Sequence, residues 1–445
     1  MLSNDMNPSF NRSGKAANYL VALVLVLVPF HAFLTVWGSA ILGHYTALRL
    51  WDDTLLLGLL GICCFWLLKD TPTRTWFVGS LLVRLILAYA GLALLLALVS
   101  YLKGEVTPKA LAYGLLVNLR FLAWFLAVML VTRRSPWLRR VWPRLLLIPA
   151  GAVIAFATLQ YTVLPHNFLS HFGYDAATTI APMETINHDP HYIRVQSTLR
   201  GANPLGAYLV IILSAIGTTL RRGRRKLICA VFGVTGLFAL YASGSRSAWI
   251  GTLASLAVVA WFWLPTRRLR IWAGWVVLGV VALVVGLFLS LRHNAAVQNA
   301  VFHTQDNSRV AVSSNGAHAS ALKNGLRDTL RQPLGDGPGT AGPASEYNAG
   351  HPVRIAENYY IQIAQETGWL GLALLLSIFA LVAAELYRQI RNSRLACILL
   401  ASFIGIALVN MLSHAWVDDT LAFLWWGLAG IALGLPAAKP KAAKR

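Results

Sequence analysis

Arg200, Arg246, Arg120, Arg84 and Glu357 are the residues of this sequence best placed to do chemistry. Arg200 lies in TLRGANPLGAY, where the chain returns to an apolar run, and Arg246 lies in ASGSRSAWIG, a short turn between two apolar runs. Gly and Ser beside each guanidinium leave backbone N–H groups accessible, and this fork of donors suits a phosphate or pyrophosphate at a membrane surface. The competing role is an interfacial anchor for lipid head groups. Arg120 (NLRFLAW) and Arg84 (LVRLIL) lie inside apolar runs. An arginine near a bilayer centre costs roughly 2.5–3.5 kcal/mol on insertion scales, so each is expected to face a partner or a water-filled cavity. Glu357, in AENYYIQIAQETGWLG, falls just before a helical stretch. It could complement the dipole at that helix start, worth about 0.3–1 kcal/mol, or act as a general base on a hydroxyl if arginines line the same cavity.

Membrane helices must hold these residues. The chain has 445 residues, 57% of them hydrophobic and 12% charged, with a mean hydropathy of +0.60. Crossing a bilayer takes about 20 apolar residues. Twelve spans are expected, at 19–40, 53–68, 76–100, 112–132, 145–163, 203–220, 227–241, 247–264, 271–291, 368–387, 395–412 and 420–436. The fold class expected is thus an all-α polytopic membrane protein in three parts. Residues 1–291 carry helices 1–9, with an outer segment at 164–202; 292–367 form a large outer loop with short helices between helices 9 and 10; 368–445 carry helices 10–12 and a basic tail. The four cysteines all sit in apolar runs, which excludes a disulfide scaffold.

A net charge of +21 raises nucleic acid as a partner, but the placement of the charge removes it. With both termini cytoplasmic, 24 of the 38 Lys and Arg fall on the inner side and 12 on the outer side. That asymmetry is the positive-inside pattern, and 13 of the 17 acidic residues lie outside. The first apolar run lacks a small-residue cleavage site, so a retained span is expected. The two long outer segments hold eight of the eleven histidines, whereas the inner loops are short and basic. The working face is therefore extracytoplasmic. No P-loop or dinucleotide turn is present, and GDGPG at 335–339 lacks the strand and helix of a phosphate cradle. Without ATP on that face, a synthetic reaction must use an already activated substrate.

Five segments in this order and at these topological positions carry a family resemblance: TLRGANPLGAYL (198–209), SGSRSAWIG (243–251), Arg309 in DNSRV, QPLGDGPG (332–339) and ENYYIQIAQETGWLG (357–371). The chain resembles the O-antigen ligase and polymerase superfamily. That resemblance implies a glycosyltransferase of GT-C-like architecture in the bacterial inner membrane, with a periplasmic active site. It implies a glycan donor on undecaprenyl pyrophosphate, a lipid A-core acceptor, surrounding membrane lipids, and no nucleotide, metal or other cofactor. By the same resemblance Arg200 and Arg246 match arginines expected near the pyrophosphate and Arg309 is a third; Arg120, Arg194, Asn358, His351 and His318 are the further substrate contacts expected. The ligase pattern has His-Asn, nine residues, then GxxG; here Asn358 and Gly368–Gly371 fit, and Glu357 stands in the His position. Glu357 is therefore expected to serve as the base, with His351, His318 and His303 as alternatives in the same loop. A polymerase, a protein O-oligosaccharyltransferase and a lipid-linked glycan exporter are the rival functions.

Overall fold

A computed structural model describes residues 8–186, 189–220, 226–264 and 314–434, with short stretches and single positions between 266 and 290. The expected span 271–291 lies largely outside the described residues, as do Arg309 and His303. Each of the other eleven expected spans is underlain by a helix. They are α1 (Pro8–Leu27) running through a 3-10 turn into α2 (His31–Leu42), α4 (Trp51–Lys69), α6 (Leu81–Leu102), α7 (Pro108–Arg134), α8 (Trp137–Thr162), α9 (Ala202–Leu220), α10 (Lys226–Ser243), α11 (Arg246–Trp263), α13 (Tyr359–Gln389), α14 (Arg394–Val409) and α15 (Asp419–Leu433). The remaining helices are α3 (Tyr45–Leu48), α5 (Thr71–Gly79) and α12 (Ser314–Arg331). Eight of the described helices are long and apolar enough to cross a membrane; α14 and α15 are apolar but shorter.

Burial sorts these helices by position. Nearly every residue of α15 is buried, including Trp425 and Trp426, and α7 and α9 are likewise enclosed. A helix apolar all round belongs in the middle of a bundle, so α7, α9 and α15 form its axis. α6 and α10 bury one stripe only and leave leucines and valines exposed, as a lipid-facing helix does.

Two expectations need correction. The span 76–100 is divided at Ser80, which separates α5 from α6. The all-α class also needs one exception: within 164–202, β1 (Glu184–Ile186) and β2 (Asp189–Arg194) pair antiparallel, with Glu184 opposite Arg194.

The described part of the segment expected as the large outer loop, from residue 314 on, is packed onto the bundle. After α12, residues 333–341 run under the break in α13, where Gly368 takes φ +67. Asp336 N–H donates to Gln365 O, Gly337 N–H to Glu366 O and Trp369 N–H to Pro333 O, at 2.9, 2.8 and 3.0 Å. The buried Glu366 carboxylate accepts from Gly339 N–H and Asn118 Nδ2, both at 2.8 Å. GDGPG is thus a seat for the loop. Asn348 fastens the next turn, accepting from Thr107 N–H and donating to Glu105 O.

Gly339 shows how close that seat is. Its φ is +93, and a Cβ there would strike the backbone of Ala110 and Leu111 in α7. Gly350, also at positive φ, has open space around it. Gly339→Ala is therefore expected to lower the thermal unfolding midpoint in detergent by more than Gly350→Ala, since only the first adds a clash with immovable backbone to the conformational cost of about 1 kcal/mol or more. Equal shifts would show that the loop can lift away at no cost.

Candidate active site

At one end of the bundle, a partly buried guanidinium and a carboxylate–imidazole pair are assembled from four chain segments. Arg194, at the end of β2, donates through Nε to Ser243 O at 2.9 Å and through Nη2 to Asn203 Oδ1 at 2.5 Å. Its Nη1 lies 3.4 Å from Glu184 Oε2. Glu184 also accepts from Ala202 N–H at 2.9 Å, which caps the start of α9. These contacts explain the local sequence. Gly201 lets the Glu184 carboxylate approach, and Gly244, at φ +60, turns the chain against the Arg194 stem. Gly206 packs on Ser245 and Ala248, which brings α9 against the start of α11. The GANP and SGSRS segments together build the seat of Arg194.

Arg246 opens α11 one turn away, half-buried and within electrostatic reach of both Arg194 and His318. His318, on α12, contacts Glu357 through Nδ1 and Oε2. Gly325 brings the two segments together, because only a hydrogen at its Cα fits against Ala356 and Ile361. Glu357 itself has φ +52, a left-handed conformation that a non-glycine residue holds at a cost of about 1–3 kcal/mol. Burial, and then the positive charge of Arg246, push the His318 imidazole below its ordinary value. Such an imidazole is neutral at pH 7: Nδ1–H can donate to the Glu357 carboxylate, leaving Nε2 as a proton acceptor.

Not every expected residue joins this group. Glu357 does not cap α13; Asn358 does, its Oδ1 accepting from Ile361 N–H at 3.1 Å while Nδ2 donates to Met411 O at 3.0 Å. Asn358 is therefore engaged in holding α13 to the turn after α14. Arg200 is exposed, within electrostatic reach of Tyr113 on α7. The turn that carries it is pinned by Ser197, at φ +52, whose N–H donates to Gln160 Oε1 and whose hydroxyl donates to Val153 O. His351 is exposed on the turn after residues 342–347, and its ring makes none of the ion pairs among the described residues.

Arg120 belongs to a separate buried cluster. It contacts Asp419 as an ion pair, lies 3.8 Å from Asp53 and donates to Val417 O at 3.0 Å. His31 bridges Asp52 and Asp419 at 3.5 and 3.3 Å, and Arg49 lies 4.0 Å from Asp419. With 5% of its surface exposed and two carboxylates beside it, Arg120 has the protein partner that its intramembrane position required. Arg120→Leu takes from Asp53 its arginine partner and leaves Asp419 with only His31 and Arg49. Its expected cost is about 3 kcal/mol or more, read as poor accumulation in membranes and a lowered unfolding midpoint. Full stability with lost activity would instead return Arg120 to the substrate.

Sequence inspection missed three groups: Glu184 and Asn203, which hold Arg194, and Glu366, which seats the loop. The signals were the glycines, Gly201 before α9 and Gly339 in GDGPG, each placed where a carboxylate or backbone approaches too closely for a side chain.

Residues 229–376 match the family model described as O-antigen ligase. The matched segment contains Ser243, Arg246, His318, Glu357 and Asn358, while Arg194, Glu184 and Asn203 lie ahead of it. No curated protein matches the chain.

Proposed function

From the match of residues 229–376 to the O-antigen ligase family model, we propose that the chain transfers a glycan from undecaprenyl pyrophosphate to the lipid A-core oligosaccharide, at the periplasmic face of the bacterial inner membrane. The observation that carries this reading is the His318–Glu357 pair standing within electrostatic reach of Arg246, itself beside Arg194. The donor is already activated, so the protein has to supply a base and to stabilise the leaving group.

His318 Nε2 removes the proton from the acceptor hydroxyl as that oxygen attacks the anomeric carbon. Glu357 holds the ring through Nδ1 and stabilises the imidazolium that forms. The bond from the anomeric carbon to the pyrophosphate oxygen breaks, its electron pair stays on the phosphate, and the configuration inverts. Arg246 meets the charge that builds there, with Arg194 beside it as a positioned second cation. Arg200, exposed nearer Tyr113, receives the pyrophosphate on approach, and Arg309 keeps the role that the resemblance gives it. The role expected of Glu357 thereby moves from base to partner of the base.

A polymerase of lipid-linked repeats would use the same chemistry on a different acceptor. A strain lacking the protein separates the two when its lipopolysaccharide is profiled together with the glycan length on the carrier. Long glycan on the carrier with bare lipid A-core is the expected result; single repeat units there would mean polymerase. An unchanged profile would point to protein glycosylation or export.

A further inference from the structure

At the other end of the same helices a cavity of about 410 Å³ opens between the last turns of α11 and α13 and the first turn of α14. Four guanidinium groups line it, from Arg270, Arg388, Arg391 and Arg394, and its walls include Trp263 and Tyr387. Arg388 is paired with Glu385, and Arg270 Nε donates to Leu264 O at 3.1 Å. The Arg391 and Arg394 guanidiniums make none of the hydrogen bonds or ion pairs among the described residues, and both residues are exposed. Four cations around one carboxylate leave a net positive pocket with unused donors. Ser393 caps α14 beside it, so the positive end of that helix dipole adds to the field.

A basic surface alone is a topology signal, and single exposed arginines on the inner side satisfy it. This site differs because guanidiniums from two chain segments, Arg270 and the turn 388–394, converge on one volume bounded by interfacial aromatics. We propose that the cavity binds the phosphate of an anionic phospholipid from the cytoplasmic leaflet, with the acyl chains beside Tyr387 and Trp263. Basic pockets between membrane helices on that side suit such head groups, and each cation near the surface strengthens binding by about fivefold. The location gives the site a consequence: α11 and α13 carry Arg246 and Asn358 at their outer ends and meet around this cavity at their inner ends. A bound head group bridges the two helices that hold the outer site.

The test is native mass spectrometry of the full chain in detergent, titrated with phosphatidylglycerol and, separately, phosphatidylcholine. Preferential retention of phosphatidylglycerol is expected. Arg391→Gln with Arg394→Gln should weaken that retention about 25-fold, at roughly fivefold per cation. Arg140→Gln with Arg144→Gln, an equal loss of charge on exposed positions outside the cavity, should leave it unchanged. Equal weakening in both double variants would overturn the site in favour of general surface attraction. Displacement of the lipid by millimolar inorganic phosphate would overturn the lipid assignment in favour of a free anion. Should the cavity double variant not fold, Arg391→Gln alone, at an exposed side chain, should weaken retention about fivefold, and no weakening would overturn the proposal.

Discussion

His318→Ala will reduce glycan transfer by about 10²- to 10⁴-fold, the range that loss of a general base produces, while the protein accumulates normally. The substitution truncates a partly exposed side chain on an outer helix, so folding is not at stake. Glu357→Gln should approach the same loss. An amide can present N–H to Nδ1, favouring the tautomer that places the proton on Nε2, where the acceptor hydroxyl must be bound. The double variant should then fall little below either single one, because the two residues act as a unit. Activity should rise with pH along an acid limb centred below about 6.5, because burial and Arg246 disfavour the imidazolium. Removing the Arg246 charge relaxes that effect and should move the limb to higher pH in whatever activity remains. Full activity of His318→Ala would end its assignment as the base and return that role to Glu357.

Arg246→Ala is expected to lower transfer by about 10²- to 10³-fold, the cost of deleting one electrostatic stabiliser of developing charge. Alanine is the best helix former, so α11 should start normally and the unfolding midpoint should hold. Arg246→Lys keeps the charge but not the planar fork, and should recover only part of the activity. Arg194→Ala behaves differently: it strips partners from Glu184, Asn203 and the Ser243 carbonyl, so its loss of activity should come with a loss of stability. A normal lipopolysaccharide ladder from a strain carrying only Arg246→Ala would remove the arginine from the leaving-group role.

Much of the fold was legible because apolar run length is a direct consequence of bilayer thickness. The helix edges were less so, since caps and not hydropathy set them. α13 begins at Tyr359, nine residues ahead of its expected span, because Asn358 caps it and because Gln362, Gln365 and Glu366 make its first turns too polar to read as membrane. Arg246 and Glu357 could be found from their motifs. His318 was one of three histidines of that loop open as the base, and nothing in the sequence singled it out: it stands 39 positions before Glu357 and meets it because Gly325 lets α12 lie against Ala356. Arg120 was recognisable as needing a partner, but Asp419 is supplied from the far end of the chain.

That separation matters while the protein is being made. Arg120 enters the membrane about 300 residues before Asp419 is synthesised, which at roughly 5–20 residues per second leaves it waiting on the order of 15–60 s. Asp53, from α4, has already been translated and lies 3.8 Å from Arg120 in the finished protein. It can serve as a provisional counter-ion for the nascent helix, so that α4 and α7 are delivered as a neutral pair and the last helix completes a cluster that was never left uncompensated.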